Sequence, residues 1–166
     1  LFTAEYYICL RSESSDLHFE KPMPDFQHET EFACSASGLF TFLTQTKNIK
    51  EVSDPNLGLQ FLSAPDALSV GTELEFKIVS FGQIIEITHK IIELESSSLV
   101  IEDQIKGPMK SWMHRHTYTE NEGGVVKGDH VEFELPGGLM GFFLSEDKII
   151  DQLEEGFFYR ERKIKE

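Results

Sequence analysis

Cysteine, tryptophan and basic residues are all scarce in this chain. It has two cysteines and one tryptophan, and 15 lysines and arginines against 29 acidic residues. Cys9 and Cys34 show no CxxC spacing and form no framework, which excludes a paired-cysteine metal motif and a disulfide scaffold. They read as free thiols in a reducing compartment, so a cytoplasmic location is expected. The formal charge of −14 argues against nucleic acid as a partner, because phosphate backbones are held mainly by Lys and Arg. It equally disfavours an anionic membrane surface. No apolar run approaches the roughly 18 residues that span a bilayer, so no membrane insertion is expected. The opening segment 2–10 is interrupted by Glu5 and has no basic start, unlike a signal peptide. No internal repeat is visible. Gly137, Gly138 and Gly141 are followed by no Lys-Ser/Thr pair, which excludes a phosphate loop. Ser145 and the serines at 96–98 have no positioned base, which argues against a hydrolase triad.

What remains is a globular balance: 40% apolar and 27% charged residues over 166 positions, the size of one domain. Fourteen phenylalanines suit either a large aromatic core or a cavity lined with rings. Residues 1–25 read as a peripheral extension, with an edge strand and a Pro22/Pro24 linker, and residues 26–166 as a single domain. Thr30, Phe32 and Cys34 alternate in the first strand. SASGLFTFLTQT then places Leu39, Phe40, Phe42 and Leu43 on a helix face behind serine caps. A second short helix ends at the 54–58 turn, Asp-Pro-Asn-Leu-Gly.

From there the period changes to two. Leu74, Phe76 and Ile78 share one strand face, and Ile85, Ile87, His89 and Ile91 the next. Leu99, Ile101, Asp103 and Ile105 are expected to share a face of the third. Trp112, His114, His116 and Tyr118 follow, then Val131, Phe133 and Leu135. Such a meander has one dry and one wet face. The longest helix is expected from Ser145 to Lys165, with Ile150, Leu153, Phe157 and Ile164 on one face and Gly156 inside it. Gly156 marks either a close approach by sheet or ligand, or a tolerated site.

The segment GPMKSWMHRHTYTENEGGVVKGDHVEFELPGG, residues 107–138, carries G-P, W-x-H-x-H, a Gly-Gly turn and D-x-V-x-aromatic-x-L-P. Together with FFYRERKI at 157–164, it resembles a bacterial subfamily of the START-like, or SRPBCC, superfamily. That group includes polyketide cyclases, lipid-transfer domains and birch-pollen-allergen-like proteins. The resemblance covers about residues 24–166. It departs from many relatives in having Val, not Thr, after the Gly-Gly turn. It implies an α+β helix-grip fold, a curved antiparallel sheet around a long C-terminal helix with two short helices after the first strand. It also implies a pocket for a hydrophobic or aromatic small molecule, such as a lipid, polyketide or isoprenoid-like compound, with no cofactor.

Hairpin registers set the expected site. Pairing Trp112 with Phe133 places His114 opposite Val131 and His116 opposite Asp129. A turn at 95–97 places Ile91 opposite Ile101 and His89 opposite Asp103, and a turn at 107–110 places Asp103 opposite His114. His89, Asp103, His114, His116 and Asp129 would then form a polar belt on an apolar surface. Trp112, Phe76, Phe133 and Phe157 complete the expected ligand contacts. Buried polar groups satisfy one another, so the belt reads as a bracing network, as anchors for a ligand, or as a metal site. His-x-His beside a carboxylate is chemically competent for zinc. HxH pairs are common in strands, however, and the resembled superfamily is not generally a metalloprotein one, so no metal is expected. His114 or His116 would be the general acid–base if the domain were a cyclase. An interaction or toxin-type module on the same fold is the third reading. Monomer and homodimer both remain open.

Overall fold

The computed structural model describes residues 23–138 and 144–166. Positions 1–22 of the expected extension, Cys9 and Gly141 lie outside the described residues. Among the described residues seven strands form one antiparallel sheet: β1 (Asp25–Phe32), β2 (Gln60–Ser63), β3 (Glu73–Ser80), β4 (Gln83–Glu95), β5 (Leu99–Lys106), β6 (Ser111–Asn121) and β7 (Gly124–Glu134). Their order is β1-β7-β6-β5-β4-β3-β2, a meander whose first strand closes against its last. Between β1 and β2 lie α1 (Ala36–Leu43), α2 (Thr46–Glu51) and a 3₁₀ turn at Pro55–Leu57. The final helix, α3 (Glu146–Lys165), packs on the inner face of the curled sheet.

Local chemistry explains the boundaries. The hydroxyl of Ser35 accepts a hydrogen bond from the Gly38 amide and starts α1, and Ser145 does the same for Lys148 at the head of α3. Glu146 and Asp147 occupy the first turn of α3, with Arg162, Lys163 and Lys165 in the last, as the helix dipole favours. β6 and β7 join through a two-residue turn, with Asn121 opposite Gly124. Gly124 has a φ of 146°, and a Cβ there would lie 2.1 Å from the Phe32 carbonyl oxygen, so β1 can reach β7 only past a glycine.

Two apolar clusters flank the centre. One gathers Phe32, Leu39, Phe40, Leu43 and Val52 beneath the short helices, with Leu74, Ile91, Val100 and Tyr118 from the sheet. The other joins Phe26, Val131 and Phe133 to Ile149 and Phe157 of α3. Phe26 stacks on Phe157 at 5.4 Å, and Ser80 donates to the Gln152 side chain at 2.9 Å, so α3 is tied to both sides of the sheet.

The β6–β7 register agrees with the sequence reading: Trp112 opposes Phe133, His114 opposes Val131, and His116 opposes Asp129. The β4–β5 register differs from it. Ile91 opposes Glu102 and His89 opposes Gln104, with irregularities at 91/93 and 88/89. Ile92 is the extra residue of a bulge, exposed beside exposed Glu93, and the inward positions run from Ile91 to Leu94. Strict alternation cannot register such an insertion. On β5 the inward face is therefore Val100, Glu102 and Gln104. Asp103 pairs with Lys90 and Met113 instead of His89 and His114.

Candidate functional site

Between the two apolar clusters the sheet and α3 enclose a cavity of about 350 Å³. That is within the range of small-molecule sites. Its apolar wall comes from Phe61, Phe76, Ile78, Ile85 and Ile87 on the sheet and Leu153 and Phe157 on α3. Three central strands supply a polar cluster, His89 from β4, Glu102 and Gln104 from β5, and His114 and His116 from β6, while Asn56, Ser80, Gln152 and Glu155 add polar groups elsewhere on the lining. Lys127 and Arg160 also reach the lining. Gly156 faces this space, and a Cβ added there would meet nothing within 4 Å. The sheet does not approach that glycine closely, which removes one reading of it.

Of the expected contacts, Trp112, His114, His116, His89, Phe76 and Phe157 line the cavity together. Three do not. Asp103 is turned to the opposite face by the β4–β5 bulge and the one-residue shift between β5 and β6. Phe133 is fully buried behind Trp112, whose ring centroid lies 5.8 Å away, and is core rather than lining. Asp129 lies beneath the lining, 5% exposed, holding the imidazoles from below. The group that sequence reasoning missed is Glu102. Its signal was the three-residue step from Ile91 to Leu94, which breaks alternation and moves β5's even positions inward.

The polar floor is built around two carboxylates. Oδ1 of Asp129 accepts from His114 Nε2 at 3.1 Å and from His116 Nδ1 at 2.7 Å, while its other oxygen pairs with the Lys127 ammonium. Glu102 lies on the opposite side of the same rings. Its Oε1 is 3.2 Å from His114 Nδ1 and 3.5 Å from His116 Nε2, and its Oε2 is 3.4 Å from His89 Nδ1. The contacts to Asp129 are hydrogen bonds, and those to Glu102 are ion-pair approaches at 3.2 and 3.5 Å. The His114 and His116 rings are 3.7 Å apart, and Phe157 closes edge-on over His114 at 5.6 Å.

Burial works to raise both carboxyls, but the surrounding cations and donors prevail. Attraction to His89 and the approach of His114 and His116 hold Glu102 well below the usual carboxylate range. Lys127 and the two ring donors do the same for Asp129. Burial pulls the Lys127 ammonium down from its ordinary value, against the pull of Asp129. Burial, reinforced by Asp129, pushes the Tyr118 phenol up, so it stays protonated. Glu102, His114 and His116 each offer one ligand atom within 4.8 Å of the others, a geometry able to hold a metal ion. Arg160 lies over the Phe157 ring at 5.4 Å and has no carboxylate partner among the described residues.

No family model and no curated protein matches the chain. Solved structures do. A protein from Chromobacterium violaceum superposes with a TM-score of 0.69 at 7% identity, over 86% of this chain and 98% of that one. The ginseng major latex-like protein from Panax ginseng gives 0.58 at 12% identity, over 85% and 94%. The di-domain ARO/CYC StfQ from the steffimycin biosynthetic pathway gives 0.67 at 13% identity, over 86% of this chain and 49% of that one. At such identities the likeness concerns the backbone, and the element order, the curled seven-stranded sheet and the final helix agree with it throughout. This chain has the helix-grip fold of the START-like (SRPBCC) superfamily.

Proposed function

We propose that the domain binds a hydrophobic or aromatic small molecule in the cavity under α3, its apolar body against the phenylalanines and its polar end toward the histidine floor. The observation that carries this reading is the asymmetry of the cavity. Apolar side chains form most of the wall, and His89, Glu102, His114 and His116 cluster on the central strands. Arg160, a cation without a carboxylate partner among the described residues, favours a ligand bearing an acidic group. The ARO/CYC relative shares the fold and is compatible with a polyketide-like occupant.

A second reading, catalysis of the cyclase type, has one observation of its own. Both ring nitrogens of His114 and of His116 are engaged by Asp129 or Glu102, so neither ring keeps a nitrogen free for a substrate. His89 differs. Its Nδ1 lies against Glu102, and its Nε2 has no partner among the described residues in a ring that lines the cavity. A general acid–base role therefore suits His89 better than His114 or His116.

Anilinonaphthalene sulfonate, an acidic aromatic probe, tests binding directly. Saturable one-to-one fluorescence enhancement is expected. It should be lost in Leu153→Arg, which places a cation in the apolar wall, and weakened about tenfold, or about 1.4 kcal/mol, in Arg160→Ala. Equal binding by wild type and both variants would overturn the reading. Turnover of a β-keto polyketide mimic that disappears in His89→Gln, with probe affinity unchanged, would favour the catalyst.

A further inference from the structure

We infer that Glu102, His114 and His116 form a binding site for one divalent first-row metal ion, with an open coordination position toward the cavity and Asp129 as the shared outer support. Asp129 Oδ1 lies within hydrogen-bond distance of His114 Nε2 and His116 Nδ1, on one side of the two rings. The opposite nitrogens, His114 Nδ1 and His116 Nε2, both lie beside a single oxygen, Glu102 Oε1. One ligand atom from each of the three residues therefore falls within 4.8 Å of the other two. The Lys127 ammonium pairs with the far oxygen of Asp129, outside this group.

The spacing agrees. Bonds of about 2.0–2.2 Å to histidine nitrogen and carboxylate oxygen, in tetrahedral or octahedral arrangement, leave neighbouring ligand atoms about 3.0–3.5 Å apart. The two distances to Glu102 Oε1 are 3.2 and 3.5 Å. The outer contacts complete the pattern. Asp129 backs both imidazoles, and His89 holds the second Glu102 oxygen at 3.4 Å. Two histidines and one carboxylate suit zinc with a vacant fourth position, or iron(II). The metal site does not depend on the hydrophobic ligand proposed above.

Calorimetric titration with Zn²⁺, and the visible absorption of bound Co²⁺, test the site on the intact chain without any organic ligand. One ion per chain is expected, with a rise in melting temperature on zinc addition. Affinity should fall at least 100-fold in Glu102→Gln and in His116→Ala, and about 10–100-fold in Asp129→Asn. Circular dichroism identifies a variant that fails to fold. Glu102→Gln keeps the shape of the side chain and carries the test if the others unfold. His130→Ala, on an exposed pair with Asp25, should leave affinity unchanged. The inference is overturned by absence of one-to-one binding or by equal binding in Glu102→Gln.

Discussion

The hairpins β6–β7 and β4–β5 lie side by side in one sheet and reach the cavity by opposite means. β6–β7 is paired without a break over eleven residue pairs, and among its inward residues His114, His116 and Lys127 all converge on Asp129. β4–β5 is interrupted twice, and its bulge at Ile92 delivers Glu102 inward while leaving Asp103 on the outer side. The regular hairpin supplies the rings and their support, and the irregular one supplies the charge that faces them. Regular pairing suits groups whose partners lie on the same two strands. The bulge sets which residue of β5 stands opposite the inward groups of its neighbours, here Glu102 opposite Ile91 and His114.

The largest test of this difference is the pair of aspartates. Asp129→Ala leaves the Lys127 ammonium buried without its partner, and denaturant unfolding should show a loss of about 3–5 kcal/mol. Asp103→Ala, on the outer face of the bulged hairpin, should change stability by less than about 0.5 kcal/mol. Equal losses would erase the distinction between the two hairpins.

Acid should act through both inward carboxylates. Their folded values lie well below the unfolded ones of 4.5 for Glu102 and 3.8 for Asp129, so the stability they contribute is complete above the unfolded values. It is lost as pH falls through the depressed folded values. Melting temperature measured downward from pH 5 should therefore drop steeply. The drop should be shallower in Asp129→Asn, which has one carboxylate fewer to titrate.

Glu102→Gln should be milder than Asp129→Ala, about 1 kcal/mol in either direction, because the amide keeps the size of the side chain and one accepting oxygen. A loss as large as that of Asp129→Ala would mean that Glu102 braces the sheet rather than facing the site. The smallest effect is expected on α3, the element both hairpins face. Gly156→Ala should stabilise by up to about 1 kcal/mol in thermal unfolding, since the added methyl enters open space and removes a helix-interior glycine. Destabilisation there would show that the cavity is narrower than the geometry gives.

Much of the fold was legible from local chemistry. The serine caps, the switch from helical to twofold periodicity and the acidic start of the last helix each act within a few residues, so reading them needs no knowledge of distant contacts. The Trp112–Phe133 register was legible too, because a short turn and a bulky indole admit one alignment. Glu102 was not. Its direction depends on one extra residue at Ile92, and an insertion in one strand shows only when the partner strand is in place. By itself, the sequence determined the order of elements, the antiparallel meander, the excess of acid over base and the inward placing of His114 and His116. The tertiary structure alone decided which carboxylate meets those rings. That choice rests on pairing between strands, where a shift of one residue exchanges the two faces and replaces Asp103 with Glu102.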